Sequence, residues 1–301
     1  MSVKSVDCFK YRNNNHKDEI DYEKGILRMK TLEGAVALIT GSSSGIGEAA
    51  ARSLAKRKAL IILTARRKDR LDALAEEIRA MGNGAEALVI PGDLNAPGEL
   101  DRIAREALAW KGRVDVLVNN AGIGKTRLLE TLDPETEILP QINLNLTVPI
   151  LLTRALLPVM LERRAGCIIN IASVAGLVTL PAFSVYSAAK YGLRGFNDAL
   201  RRELRGQGID VCLVCPGVVR TEFGDHSTRI SGWEDSITQR IALPAEALGE
   251  CIADVARRPR RFVVIPWYYG LPVFLTNAIP AFTDWVVELI YTRSVRKRTA
   301  G

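Results

Sequence analysis

The stretch TGSSSGIGEAA, residues 40 to 50, sets three glycines, Gly41, Gly45 and Gly47, between an apolar run and the start of an amphipathic one. A strand that turns sharply into a helix needs glycine for the turn, for close approach of a ligand to backbone and for packing the helix on the sheet. The N-terminus of such a helix aims unpaired N–H groups and the positive end of its dipole into the turn, which suits a pyrophosphate. The spacing is G-x-x-x-G-x-G.

On either side of this turn the chain alternates two patterns. GAVALIT, ALIILTA, EALVIPGD, VDVLVNNAG, GCIINIAS and DVCLVCPG are β-branched or nearly continuous apolar runs, as strands buried on both faces require. Amphipathic stretches such as IGEAAARSLAKRK and DRLDALAEEIRAMG lie between them. The alternation predicts an α/β protein, a doubly wound parallel sheet in a single domain over residues 31–265, followed by a C-terminal extension over 266–301.

A second informative stretch is VYSAAKYGLRGF, residues 185 to 196. On a helix, Tyr186 and Lys190 share a face, with only small residues between them. An ammonium beside a phenol favours the phenolate, so the pair predicts a tyrosine titrating below its usual value near 10. An ordinary amphipathic helix with a tyrosine on its buried edge gives the same spacing.

Composition excludes several classes. The chain has 301 residues, and 48% hydrophobic with 25% charged is ordinary for a globular protein with a sizeable core. The five cysteines are odd in number and scattered, which predicts a reducing compartment and a cytoplasmic location. Cys212 and Cys215 form C-x-x-C inside a strand, where residues three apart face opposite sides, so they read as core thiols. Two histidines, His16 and His226, are too few and too far apart for a metal cluster or a hydrolase triad, and no metal is expected. The first 30 residues lack an apolar signal core and read as a poorly ordered extension, with Met29 as an alternative start.

The glycine turn and the Tyr186–Lys190 pair, with NNAG at Asn119 to Gly122 and PGVVRT at Pro216 to Thr221, resemble the classical short-chain dehydrogenase/reductase family over about residues 33 to 265. That resemblance implies a Rossmann fold and an oxidoreductase that interconverts a carbonyl and an alcohol. It implies that Tyr186 donates or accepts the proton and that Ser173, 13 residues earlier, holds the substrate oxygen. It further implies that Lys190 binds the nicotinamide ribose and that an asparagine in the preceding helix completes a relay. Counting back from LLPVM places this asparagine at Asn145, with Asn143 as the competing choice. On the cofactor side the resemblance implicates Gly41, Ser43, Gly45, Ile46 and Gly47 in the turn, then Asn120, Tyr186 and Lys190. It adds Pro216, Gly217 and Val219, with Asp93 at the adenine and Thr221 at the carboxamide.

The end of the second run, ALIILTARRKDR, bears on cofactor choice. A site for NAD presents a carboxylate to the ribose hydroxyls, whereas a 2′-phosphate needs positive charge. Ala65 stands at the family's acidic position and Arg66, Arg67 and Lys68 follow, so NADP(H) is expected, with Arg66 as the phosphate clamp by resemblance. In this family the stretch after Ser173 walls the pocket, so by resemblance Val174, Leu177, Val178, Leu180 and Phe183 imply a mainly apolar substrate, with ordinary core as the equal alternative for several of them. Arg220 and Arg229 are the candidates for an anionic group, with solvated surface roles as the favoured alternative. A 3-oxoacyl-thioester reductase of lipid synthesis and a non-catalytic NADP(H)-sensing protein are the alternatives, and the family's habit implies a homodimer or homotetramer.

The C-terminal segment is unusual. Residues 262 to 283 run without a charge, but Pro266, Pro272 and Pro280 argue against a membrane span. Around it, residues 257 to 298 hold eight bases against Asp284 and Glu288, so the chain's formal +7 belongs mainly to this tail rather than to a nucleic-acid face. Two readings follow: pocket closure or a subunit contact, or a peripheral membrane contact through Trp267, Tyr268, Tyr269, Phe274 and Trp285.

Overall fold

A computed structural model describes residues 31–223 and 242–299, with side chains to Leu289 apart from Asn277. The expectations for residues 1–30, Met29, His226 and Arg229 lie outside the described residues. Seven parallel strands form one sheet: β1 (Val36–Thr40), β2 (Leu60–Thr64), β3 (Ala87–Val89), β4 (Val116–Asn119), β5 (Gly166–Ile171), β6 (Ile209–Pro216) and β9 (Phe262–Ile265). Their order is β3-β2-β1-β4-β5-β6-β9. The first six coincide with the six apolar runs read from the sequence, and β9 opens the uncharged run over residues 262 to 283. A second, two-stranded sheet of β7 (Val219–Arg220) and β8 (Leu243–Pro244) carried no sequence signal, because two residues are too few for a period.

Alternate residues of the sheet feed two cores. Ala37 and Ile39 face helices α1 (Gly45–Ala55), α2 (Lys68–Ala80) and α6 (Ala245–Arg257). Val36 and Leu38 face α3 (Glu99–Lys111), α4 (Pro134–Arg163) and the end of α5 (Ser184–Glu203). Both faces are thus covered, which explains why the strands read as apolar runs without alternation. Cys212 and Cys215 fall in clusters on opposite faces, and both thiols are buried and unpaired.

The strand order reverses between β1 and β4, and in a sheet of this kind ligands bind beyond the carboxyl ends of the strands at that point. The glycine turn follows β1 and the NNAG stretch follows β4, so the topology alone brings the two motifs together.

Helix α4 is long and apolar enough to cross a membrane by length and composition, but it carries Val148, Leu152, Leu156 and Met160 into the core. It contains two π-helical turns, Pro134–Ile138 and Asn143–Thr147, each just ahead of a proline, Pro140 and Pro149. Proline has no N–H and its ring crowds the carbonyl four residues back, so the helix widens and the bond skips a residue: Val148 N–H donates to the Asn143 carbonyl. Beyond β9 the chain forms a 3-10 turn, Trp267–Tyr269, then α7 (Gly270–Ala278) and α8 (Pro280–Thr299). The uncharged run over residues 262 to 283 is therefore a strand, a turn and parts of two helices, as its prolines predicted.

Candidate active site

The turn after β1 is braced by the segment after β4. Asn120 Nδ2 donates to the carbonyls of Thr40 (2.9 Å) and Gly41 (3.2 Å), and the amides of Asn120 and Ala121 both donate to Thr40 Oγ1 at 2.9 Å. Gly41 has φ +67°, and a Cβ there would lie 2.9 Å from Ala121 Cα. A Cβ on Gly47 would meet the Gly41 carbonyl oxygen and lie 2.6 Å from Asn120 Nδ2. Gly45, at φ +57°, leaves room for the methyl of Thr221, 2.8 Å from where its Cβ would stand. No side chain caps the start of α1, so its first amides are free for an anion, and Ser43 and Ile46 stand in that turn. An uncapped helix start behind three tightly fitted glycines suits the diphosphate of a dinucleotide.

On the other side of the cleft Asn145, fully buried, donates from Nδ2 to the carbonyls of Ile123 (2.7 Å) and Gln141 (2.8 Å). Its Oδ1 has no protein partner. A Cβ on Gly122 would stand 2.6 Å from that oxygen and 3.7 Å from Lys190 Nζ, so Asn145 and Lys190 converge on one glycine. Asn143 pairs instead with Asn95 (2.8 Å). Lys190 donates to the carbonyl of Ile171 at 2.9 Å. Ser173 ends this cluster: its hydroxyl accepts from the Ala175 amide at 3.1 Å and hydrogen-bonds the phenol of Tyr186.

The electrostatics differ from the expectation for the tyrosine. Burial pushes Tyr186 up to about 12, and the bond from Ser173 offsets this only partly. Burial also pulls Lys190 down to about 8. The ammonium is fastened to Ile171 and lies 5.7 Å from the centre of the phenol ring, so desolvation outweighs its attraction for the phenolate. The free protein therefore holds the proton on Tyr186. Phe183 and Phe223 flank that ring, with centroids 6.4 Å and 5.9 Å away.

Other predicted residues are scattered around the cleft. Asp93 makes a local turn, accepting from the Asn95 amide at 3.0 Å. Pro216 closes β6, Gly217 lies under the ring of Tyr269, and Val219 pairs with Leu243 in the small sheet. Arg66 is exposed, whereas Arg67 reaches the turn, bonding Ser43 Oγ (3.2 Å) and Ser44 Oγ (2.8 Å). Of the apolar stretch after Ser173, Leu177 belongs to the core, Phe183 faces Tyr186 and Leu180 lines a cavity of about 640 Å³ with Tyr191, Thr276, Asp284 and Val287. Arg220 donates to the Ala242 carbonyl and lies on the small sheet rather than in the cluster.

Sequence reasoning named Arg67 only among the bases after β2 and Tyr269 only among the tail aromatics, and it missed Thr40, Glu222 and Phe223. Arg67 and Arg70 could have been found from their i, i+3 spacing at the start of α2. Tyr269 could not, since its contact with Gly217 joins segments remote in sequence.

A switch-point cleft with a glycine turn on one side and a Ser–Tyr–Lys–Asn group on the other defines a nicotinamide-dependent oxidoreductase. The chain belongs to the short chain dehydrogenases, whose family pattern matches residues 35–230. It is 32% identical over 264 residues to an 11-beta-hydroxysteroid dehydrogenase-like protein of Arabidopsis thaliana, covering 87% of this chain and 86% of that one. It is 39% identical over 203 residues to the ketoacyl reductase HetN of Nostoc sp., covering 67% and 70%. Among solved structures, a metagenomic short-chain oxidoreductase in complex with NADP is 34% identical with a TM-score of 0.65, covering 78% of this chain and 96% of that one. A dehydrogenase from Sphingobium yanoikuyae in complex with NADPH is 29% identical with a TM-score of 0.70, covering 81% and 96%.

Proposed function

We propose that this oxidoreductase uses NADP(H) to interconvert a carbonyl and a secondary alcohol on a mainly apolar substrate. The observation that carries the reading is the convergence of Asn145 Oδ1 and Lys190 Nζ on Gly122 beside a protonated, Ser173-bonded Tyr186. Bound nicotinamide supplies or accepts the hydride. In the direction of reduction, Ser173 holds the substrate oxygen and Tyr186 gives it the phenolic proton as negative charge develops there. Lys190, pulled down to about 8, and a water on the open Oδ1 of Asn145 return a proton to the tyrosine. The glycine turn and the free amides of α1 hold the diphosphate. Phe183 and Phe223 give the reacting region apolar walls and exclude water from it.

NADP(H) rather than NAD(H) is supported by the bases after β2, by Ala65 where an acid would stand, and by the NADP bound in similar structures. The test is nucleotide oxidation over a panel of apolar ketones, aldehydes and 3-oxoacyl thioesters, with wild type and Tyr186→Phe. Turnover with NADPH that the substitution abolishes, while NADPH binding persists, supports the proposal. Binding with no turnover on any substrate would favour a sensor. Preference for the thioesters would favour the second reading, a 3-oxoacyl-thioester reductase, which the similarity to a Synechocystis 3-oxoacyl-[acyl-carrier-protein] reductase supports at 39% identity over 199 residues.

The tail belongs to the same proposal. Trp267, Leu271, Phe274, Phe282 and Trp285 are all exposed, and the rings of Phe282 and Trp285 lie 6.0 Å apart. Arg257, Arg258, Arg260 and Arg261 precede it. We read this as a peripheral contact of a cytoplasmic protein with an anionic bilayer, and a homodimer or homotetramer through α4 and α5 as the assembly. Flotation of the intact protein with phosphatidylserine vesicles, lost in a Phe274→Ser/Trp285→Ser variant, is the expected result.

A further inference from the structure

We propose that Glu222 sets the cofactor selectivity of this chain by occupying the two arginines that a 2′-phosphate would use. The inference rests on the NADP(H) reading above and concerns a residue outside the catalytic group. Arg67 and Arg70 sit three residues apart at the start of α2. Glu222 Oε2 accepts from Arg67 Nη1 at 2.8 Å, and its other oxygen accepts from Arg70 Nη1. The same Arg67 guanidinium bonds the hydroxyls of Ser43 and Ser44, so the carboxylate lies beside the turn that holds the cofactor.

Glu222 is not placed there by chance of a free side chain. Its neighbour Thr221 packs against Gly45 and its other neighbour Phe223 packs on the ring of Tyr186. Three consecutive residues thus touch the phosphate turn, the arginines and the catalytic tyrosine in succession. The two guanidinium groups hold the Glu222 carboxyl down at about 2, so it carries its charge at neutral pH.

A phosphate on the ribose has to displace this carboxylate or share both arginines with it, and two anions at one clamp repel. A ribose hydroxyl meets no such competition and can donate a hydrogen bond to the carboxylate. Glu222 therefore works against the bases of the TARRKDR stretch and moderates the preference that they create. Sequence alone shows only the bases, because Glu222 is 152 residues beyond Arg70.

Titration calorimetry on the intact protein with NADPH and with NADH tests this. Glu222→Gln, which keeps the shape and removes the charge, is expected to tighten NADPH about tenfold, the scale of one charge-assisted hydrogen bond, and to leave NADH unchanged or weaker. Glu222→Asp is expected to keep the wild-type ratio. Wild-type NADPH binding with an unchanged ratio in Glu222→Gln overturns the inference alone, as does equal tightening of both nucleotides. If the wild type binds neither nucleotide, the cofactor reading fails and the inference falls with it.

Discussion

Tyr186 and Lys190 stand one helical turn apart, with the ammonium nitrogen 5.7 Å from the centre of the phenol ring, and burial moves their proton affinities in opposite directions. Lysine titrates near 10.5 when unfolded and about 8 here, so between those values the unfolded chain holds a proton that the folded chain has released. The lysine's contribution to the stability of the free protein then rises as pH climbs from about 8 toward 10. Tyrosine is raised from 10 to about 12, so above pH 10 the unfolded chain loses its proton first and stability falls. The buried thiols of Cys167 and Cys215, both held above the ordinary value of 9, pull stability down from about pH 9, so urea midpoints measured from pH 7 to 11 are expected to pass through a maximum near pH 9. Lys190→Met is expected to remove the rise and keep the fall; a wild-type profile flat from pH 8 to 9 would contradict the account.

Gly47→Ala is expected to be the most damaging single substitution in the turn. Its methyl would meet both the Gly41 carbonyl and the Asn120 amide, two groups already bonded to each other. Backbone has to move, and a loss of about 2 kcal/mol or more follows, together with cofactor binding. Gly82→Ala, at φ +63° but in open space, is expected to lose only about 1 kcal/mol. Thermal melts of the two variants make the comparison.

Asn145 and Asn143 are two residues apart, and the geometry separates them. Asn145→Ala removes the open Oδ1 beside Lys190 and is expected to lower kcat by about 10²-fold, the low end for a group in a proton relay, with little change in NADPH affinity. Asn143→Ala breaks only the bond to Asn95 and is expected to change kcat less than about threefold. Equal effects on kcat would remove Asn145 from the relay.

Arg66 and Arg67 are adjacent, yet only Arg67 touches the turn. Arg67→Gln is expected to raise the KM for NADPH about tenfold or more while leaving that for NADH near its starting value, and Arg66→Gln to do less. The reverse ranking would return the clamp to Arg66.

The sheet was readable because its inner strands are buried on both faces and so leave apolar runs that need no periodicity. The glycine turn, Ser173, Tyr186 and Lys190 were readable because each lies within a short motif whose spacing a strand end or helix fixes. What escaped was long-range or unpatterned. Glu222 meets Arg67 across 155 residues, and β7 and β8 are too short for any pattern. The tyrosine's proton affinity also escaped, because i, i+4 spacing gives proximity but not burial, and burial decided its sign.

One polar thread crosses the interior beneath the site. Asn119 on β4 donates to Asn170 on β5 (2.9 Å), and Asn170 donates to Asn197 on α5 (3.0 Å), all three buried. Asn197 lies two turns along from Lys190, whose own anchor, Ile171, is the residue after Asn170. A buried amide left without its partner costs about 1–3 kcal/mol. The central strands therefore reach full stability only when α5 has docked in this one register, since sliding it by a residue would strand both Asn170 and Lys190. Packing of the core and placement of Tyr186 and Lys190 are therefore coupled through one line of buried hydrogen bonds.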